Sequence, residues 1–530
     1  MRLSRVALRI TALIGVALVV IATACGGGNG STFPGGGDGG GGSGGHGGDG
    51  SICLNGNCSH GGDGSTDGST QCTGLECQSG IDNCAGKGKP NTSISGYVYD
   101  PAGVLPLYDV YVYIPNAKPD PIDPGNPACS QCEAPASGGP IIGVLTNEQG
   151  YFNLQQTSGD QYGVPSGTNI TLVAQTGKWR RQLTGLTINA CEANSIPNPA
   201  TPSMKFRLPA NSSEGDMPLI AFTSGCDPAE CFLRHIGISD SEFVAPTAPA
   251  PAAWPTVVPG AGHVRFFTGY DNTGHGPPEG MAPAASNISG GNTPSDTYAW
   301  WGSSANLLGY DIIFDACECN PFSRGATAYQ AMDDYLNGGG RLFTTHYYYN
   351  WFVPSPPATA DLNSVASWIP TMSGGMGDET DSIDQSFPKG MAFATWLQDN
   401  GITTTLGQIE LGDWRDNISA QAPAGCSTAA GTCLSTQWIY NAAENHPRYI
   451  SFNTPVAAPV TKQCGRAVFS DVHLSGTSND QTFPAECADP DPGGDHVTNE
   501  KALEFLFFDL SSCVQQENKP PPPPPPAQPH

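Results

Sequence analysis

Basic residues are scarce in this chain: 22 Lys and Arg among 530 residues, against 48 Asp and Glu, for a formal net charge of −26. Nucleic acid and anionic lipid headgroups are held by clustered cations that displace counterions, so neither is expected as a partner. The acidity reads as a solubility device. Long apolar runs are also missing. The longest, Ile10–Ile21, falls short of the ~20 residues that cross a bilayer as a helix. It is flanked by Arg2, Arg5 and Arg9 and followed by Ala22-Thr23-Ala24-Cys25, the pattern of an export signal over residues 1–24.

Cysteine is plentiful. Eighteen cysteines in an exported chain point to disulfides. The end of the signal resembles a bacterial lipobox with Cys25 as the lipid-modified first residue, which implies anchoring to the membrane through lipid on Cys25. With Gly26 behind it, the resemblance implies a cell-envelope location, at the outer membrane or cell surface. Without Cys25 the cysteine count is odd, so at least one sulfur is not paired within the chain. Residues 25–90 are dominated by Gly, Ser and Asp, have little to bury and read as a flexible tether. Residues 514–530 end in Pro520–Pro526, a stiff polyproline spacer.

Residues 91–208 alternate with period two. Ser93–Asp100, Val110–Ile114, Gly143–Thr146, Tyr151–Leu154, Asn169–Ala174 and Gln182–Ile188 are separated by Gly, Pro and Asn turns, the pattern of a small antiparallel β-sandwich. Gly96-Tyr97-Val98-Tyr99-Asp100 and Thr146-Asn147-Glu148-Gln149-Gly150-Tyr151-Phe152 resemble a carboxypeptidase regulatory-like, transthyretin-like domain. That resemblance implies a noncatalytic accessory that binds partners or glycans. A Pro-rich insertion, Pro115–Pro140, carries Cys129 and Cys132, read as a local loop disulfide with Cys191 as a candidate partner. Lys178-Trp179-Arg180-Arg181, the densest basic run, reads as a charged hairpin edge.

Residues 215–513 alternate strand and helix. Strands are expected at Pro218–Thr223, His263–Thr268, Tyr310–Asp315, Arg341–His346, Gln437–Tyr440, Tyr449–Phe452 and Ala467–Val472. Helices are expected at Ala326–Leu336, Met391–Asp399 and Glu500–Leu510. The fold class is therefore multidomain: an antiparallel β-sandwich followed by a doubly wound, mostly parallel α/β sheet, with disordered Gly-rich and Pro-rich termini. In such sheets the C-terminal strand ends share one edge, where ligands bind.

That edge collects the candidate residues. One strand offers Cys226 and Cys231, and a second Tyr270 and Asp271. A third offers Cys317, Glu318 and Cys319, a fourth His346, and a late strand Asp471 and His473. His473 with Asp471 two residues before it on the same strand face is a candidate general base and orienter. Glu318, if desolvated, is a candidate acid or base. Cys226, Cys231, Cys317 and Cys319 read as disulfides stitching neighbouring loops. The alternative is a zinc site from these four thiols, or from thiols with His346 and His473.

Tyr310–Asp315, Asp334–Phe343 with His346, and Gly465–His473 resemble the class I glutamine amidotransferase-like fold, in particular its ThuA-like branch. A glutaminase of that fold needs a Cys nucleophile on a strand-to-helix elbow, where this chain has Thr345-His346-Tyr347, and a Glu two residues after its His, where this chain has Ser475. The resemblance thus implies a degenerate amidotransferase-like domain without cofactor, and, through the ThuA-like branch, a carbohydrate ligand. The expectation is an envelope protein that binds glycan or another envelope component. The alternative is a hydrolase of a sugar-linked substrate using His346 and His473 with Asp471 or Glu318.

Overall fold

The computed structural model describes residues 74–79, 83–132, 134–157, 162–224, 229–244, 262–268, 295–296, 298–317, 321–353, 359–369, 374–375, 377–474, 483–484, 487 and 495–525. The export signal, Cys25, most of the tether, Cys226, Tyr270, Asp271, Glu318, Cys319 and Ser475 lie outside the described residues. No described helix is long and apolar enough to cross a membrane.

The first strands are β1 (Ser93–Tyr97), β2 (Tyr111–Pro115), β3 (Pro140–Leu145), β4 (Tyr151–Gln155), β5 (Gly167–Thr176), β6 (Trp179–Ile188) and β7 (Ala193–Ser195). They pair as two small sheets, in the orders β3-β2-β5-β6 and β4-β1-β7. Period-two patterning holds in β4, where Phe152 and Leu154 are buried while Asn153 is exposed, but not in β2, which is buried throughout. The expected antiparallel pairing fails at β1 and β7, which run parallel.

A larger sheet follows. Its strands are β8 (Ile220–Ser224), β9 (Phe243–Val244), β10 (Val264–Thr268), β11 (Ser295–Asp296), β12 (Ile312–Asp315) and β13 (Arg341–Thr345). Two short pairs, β14 (Ala366–Trp368) with β19 (Ile418–Gln421) and β15 (Gly374–Gly375) with β18 (Trp414–Arg415), stand beside it. The large sheet resumes with β16 (Glu379–Ile383), β17 (Gln408–Leu411), β20 (Thr436–Asn441), β21 (His446–Thr454) and β22 (Gly465–Ser470). Its order is β11-β10-β8-β12-β13-β22-β21-β20-β16-β17, with β9 paired to β10. From β11 to β22 the neighbours run parallel. From β22 to β17 they run antiparallel. The expectation of a mostly parallel sheet therefore holds for one half only. The other half is built by a tight hairpin, β20–β21, and by β16 and β17, whose alternating polar residues gave little strand signal.

Helices α1 (Ala229–His235), α2 (Tyr298–Trp301), α3 (Ser304–Leu307), α4 (Ala326–Asn337), α5 (Ala360–Asn363), α6 (Pro388–Asp399) and α7 (Asp495–Ser511) complete the described chain. Alternate residues of the central strands enter different cores. Phe314 and Phe343 pack with α1, α6 and α7, whereas Ile313 and Leu342 pack with α2, α3 and α4. The glycine run that ends α4 fits tightly. Gly339 has φ +107°, and a Cβ on Gly340 would meet the Tyr335 ring at 2.3 Å.

The small sheets and the large one share a single hydrophobic core, in which Ile94, Val112, Leu172 and Trp179 join Ile220, Phe314 and Phe507. Trp179 stacks edge-on against Phe508 at 6.0 Å, and Trp396 Nε1 donates to the Pro106 carbonyl at 2.7 Å. The insertion is pinned across this seam rather than on itself. Cys129 pairs with Cys464 and Cys132 with Cys513. Cys191 pairs instead with Cys84, which holds the end of the expected tether onto the small sheets. The basic run is likewise engaged in ion pairs. Lys178 pairs with buried Asp311 at 2.6 Å, and buried Arg180 pairs with Asp216 at 2.8 Å. Arg181 pairs with Glu214 at 2.8 Å. These cations lie at the start of β6, an outer strand of its sheet, and tie it to neighbouring segments.

Beneath the seam lies a buried ionic cluster. Lys389 Nζ is 2.7 Å from Asp509 and 3.7 Å from both Asp109 and Glu517. Arg466 pairs with Asp509 and, at 2.8 Å, with Glu517. Two cations face three carboxyls. Desolvation and its acidic neighbours outweigh Lys389 at Asp109, whose carboxyl is pushed up to about 7. Glu517 comes from the expected tail, so residues 514–517 belong to the folded body.

Candidate functional site

Three adjacent parallel strands, β12, β13 and β22, deliver side chains to one edge. β13 ends at Thr345, and His346 follows with φ +55°, a left-handed backbone that a non-glycine residue adopts at a cost of about 1 kcal/mol. The chain then enters a short 3₁₀ helix, His346–Trp351. His346 thus occupies a sharp elbow between β13 and the 3₁₀ helix.

A thiol reaches this elbow from the neighbouring strand. Cys317, just past β12, places Sγ 3.2 Å from His346 Nδ1, and its backbone N–H donates to Thr345 Oγ1 at 3.0 Å. Cys317 and His346 are both buried. Arg415 Nε donates to His346 Nε2 at 2.9 Å, and its guanidinium lies over the Tyr347 ring at 4.8 Å. Because Nε2 accepts from a cation, the ring proton resides on Nδ1 and points at Cys317 Sγ. Burial, then His473, then the Arg415 charge hold His346 well below the usual imidazole range, so it is neutral. The ring of His473, half-buried, crosses that of His346 edge-on at 3.9 Å.

Asp471 does not orient His473. Its Oδ2 accepts from the Asn417 N–H at 2.5 Å, its carbonyl accepts from the Arg415 N–H at 2.7 Å, and its Oδ1 has no hydrogen-bond partner among the described residues. Burial pushes its carboxyl up to about 7 against the hydrogen bond from Asn417 and the nearby arginines. Asp471 is a positioning residue: it fixes the loop that carries Arg415. His473 is held by its own backbone, donating N–H to the Asp413 carbonyl at 3.1 Å and accepting from Asn499 Nδ2 at 2.8 Å.

The cysteine expectations change accordingly. Cys231 pairs with Cys487, not with a neighbour from the β12 loop, which removes it from any four-thiol zinc set. Cys317 carries a thiol rather than a disulfide. Of the ligand sets weighed from the sequence, the one the fold brings together is Cys317, His346 and His473, whose donor atoms lie within 4.8 Å of one another.

Arg415 and its neighbour Trp414 escaped the sequence reading. They sit on β18, too short for periodicity to reveal. The run Gly412-Asp413-Trp414-Arg415-Asp416, dense in charge and aromatic surface between strands, was the available signal. Trp414 carries the Arg448 guanidinium over its ring at 4.1 Å and, like Arg415 and His473, is half-buried.

The class this defines is a mixed α/β protein with a sulfur- and imidazole-bearing centre at the carboxyl edge of its parallel strands. No protein-family model matches the chain, and no curated protein matches it. Among solved structures it is similar to a protein described as ThuA-like from Bacteroides uniformis, with 11% identity and a TM-score of 0.27 over 56% of this chain and 92% of that one. It is also similar to a cytoplasmic protein from Salmonella typhimurium, with 10% identity and a TM-score of 0.24 over 42% of this chain and 80% of that one. Likeness at this level carries no argument about activity.

Proposed function

We propose that this chain is an exported, lipid-anchored cell-envelope protein that binds a glycan or another envelope component at the strand edge around His346. The observation that carries the reading is the convergence of His346, His473, Arg415 and Cys317 at that edge, with His473 and Arg415 half-buried. Fixed hydrogen-bond donors converging at one edge suit a sugar, which offers a rim of hydroxyls. Export is supported by disulfides that join residues 256 to 381 positions apart, bonds that persist in an oxidising compartment. The small sheets fit the accessory role implied by their resemblance to carboxypeptidase regulatory-like domains. The large sheet fits a degenerate amidotransferase-like domain, since His occupies the elbow where glutaminase chemistry needs Cys.

A hydrolase of a sugar-linked substrate is the second reading, favoured by one observation: His346 and His473 are in ring contact. Asp471 Oδ2 accepts from the Asn417 N–H, which weighs against an acid–base pair of His473 with Asp471. A glycan array and pull-down from solubilised envelope, run with wild type and His346→Asn, test the binding reading. Retention by wild type that is lost in the variant supports it. Turnover of glycosides by wild type, abolished in the variant, replaces it with the hydrolase reading. Retention unchanged in the variant rejects this site.

A further inference from the structure

We infer that Cys317, His346 and His473 form a binding site for one divalent transition metal, zinc by the character of its donors, with a coordination position left for an exogenous ligand. The inference rests on the strand edge being the functional site and names what that site holds.

The first argument is spacing. Tetrahedral zinc with bonds of about 2.3 Å to sulfur and 2.0–2.1 Å to nitrogen sets its ligand atoms roughly 3–4 Å apart. Cys317 Sγ and His346 Nδ1 are 3.2 Å apart, and all three donors lie within 4.8 Å of one another. Closing the set requires adjustment of side-chain torsions, not of the sheet.

The second is preorganisation. Each ligand follows a different one of three neighbouring parallel strands, with registers Asp315↔Thr344 and Thr345↔Ser470 linking them. The Cys317 backbone is tied to Thr345, and the His473 backbone to Asp413 and Asn499. The strained backbone of His346, at φ +55°, accompanies an imidazole aimed at Cys317 on the adjacent strand.

The third is chemistry. A thiolate and two imidazoles are soft to borderline donors, suited to zinc and unsuited to calcium or magnesium. They cancel one unit of a divalent charge and leave a centre of net positive charge, able to take water or a sugar oxygen. Coordination displaces the thiol proton and the Nδ1 proton of His346 to solvent, leaving Nε2 facing Arg415. It also accounts for a thiol kept in a chain whose other described cysteines form disulfides.

A second cluster, Asp416, Glu444 and His446, has ligand-like spacing but already holds its cation: Arg448 lies 3.3 Å from Asp416. It serves as the internal control.

The test uses the full exported chain purified without chelators. Elemental mass spectrometry is expected to find about one zinc per chain in wild type and in His446→Gln. Background levels are expected in Cys317→Ala and in His473→Gln, a half-buried position, with the fold of each variant checked by circular dichroism. After chelation, Co(II) alone should restore a thiolate-to-cobalt charge-transfer band that Cys317→Ala lacks. Thiol titration of the native protein should detect Cys317 only after the metal is removed. Wild type that takes up no zinc or cobalt overturns the inference, as does full metal content in Cys317→Ala and His473→Gln. Ligand retention without metal overturns this inference alone; metal without any ligand or turnover overturns only the proposed function.

Discussion

His346 concentrates the conflict between backbone and side chain. Its φ of +55° disfavours histidine, while its buried ring meets Cys317, Arg415 and His473. Asn tolerates the left-handed region, so His346→Asn should keep the elbow while removing the imidazole. The expected result is a melting temperature shifted by no more than the equivalent of about 1–2 kcal/mol, with ligand retention lost. A collapse of several kcal/mol in thermal denaturation would make His346 a packing residue. Asp109 makes a different prediction. Its carboxyl is pushed up to about 7 in the folded protein, against about 3.9 unfolded. The folded state therefore binds the extra proton between these values, and the stability it confers is full below pH ~4 and lost as pH rises through ~7. Asp109→Asn should flatten that part of the stability–pH curve and stabilise the protein at pH 8, because Lys389 and Arg466 still face Asp509 and Glu517. Parallel melting curves of wild type and variant from pH 4 to pH 8 would refute this.

At the scale of elements, the seam between the small sheets and the large one is closed from the insertion. Cys129–Cys464 and Cys132–Cys513 span 335 and 381 residues, and a crosslink over a long loop restricts the unfolded chain most. Cys132→Ser with Cys513→Ser should cost about 2–4 kcal/mol in denaturant unfolding, and the far-ultraviolet spectrum should not change. The native contacts remain without the bond: Lys178 on Asp311, and the Gly125 N–H donating to Asp311 at 2.7 Å. A variant that unfolds at ambient temperature, or one as stable as wild type, contradicts this account. The elements themselves were largely legible. Apolar spacing from Ala326 and the glycine run at 338–340 marked α4, which ends at Asn337. The hairpin β20–β21 showed as two strands, but nothing local in either says that their partners run antiparallel.

For the whole molecule, the proposed address is residues 1–25, and the lipid anchor on Cys25 is open to a direct test. Cys25→Ser is expected to release the protein from the membrane fraction into the soluble or secreted one, measured by fractionation and by incorporation of labelled palmitate. Unchanged membrane retention without labelling would sink the lipid anchor. The folded body is unified by one core, as Trp179 from β6 and Phe507 and Phe508 from α7 illustrate, so the composition break near residue 210 marks a change of architecture rather than a gap between cores.

Local order alone decided much. Alternation marked strands of the small sheets, helical spacing α4, α6 and α7, and the apolar strands β8, β12, β13 and β22 the parallel centre, because each of these is a property of neighbours in the chain. It also placed His346 and His473 on one edge. Which cysteines pair, and which remains a thiol, depends on distances between residues hundreds of positions apart. Tertiary structure alone put Cys317 against His346, gave Arg415 to Nε2 and took Asp471 away from His473. Side-chain contacts across three strands are set by register and by loops such as 412–417, and neither leaves a period in the sequence.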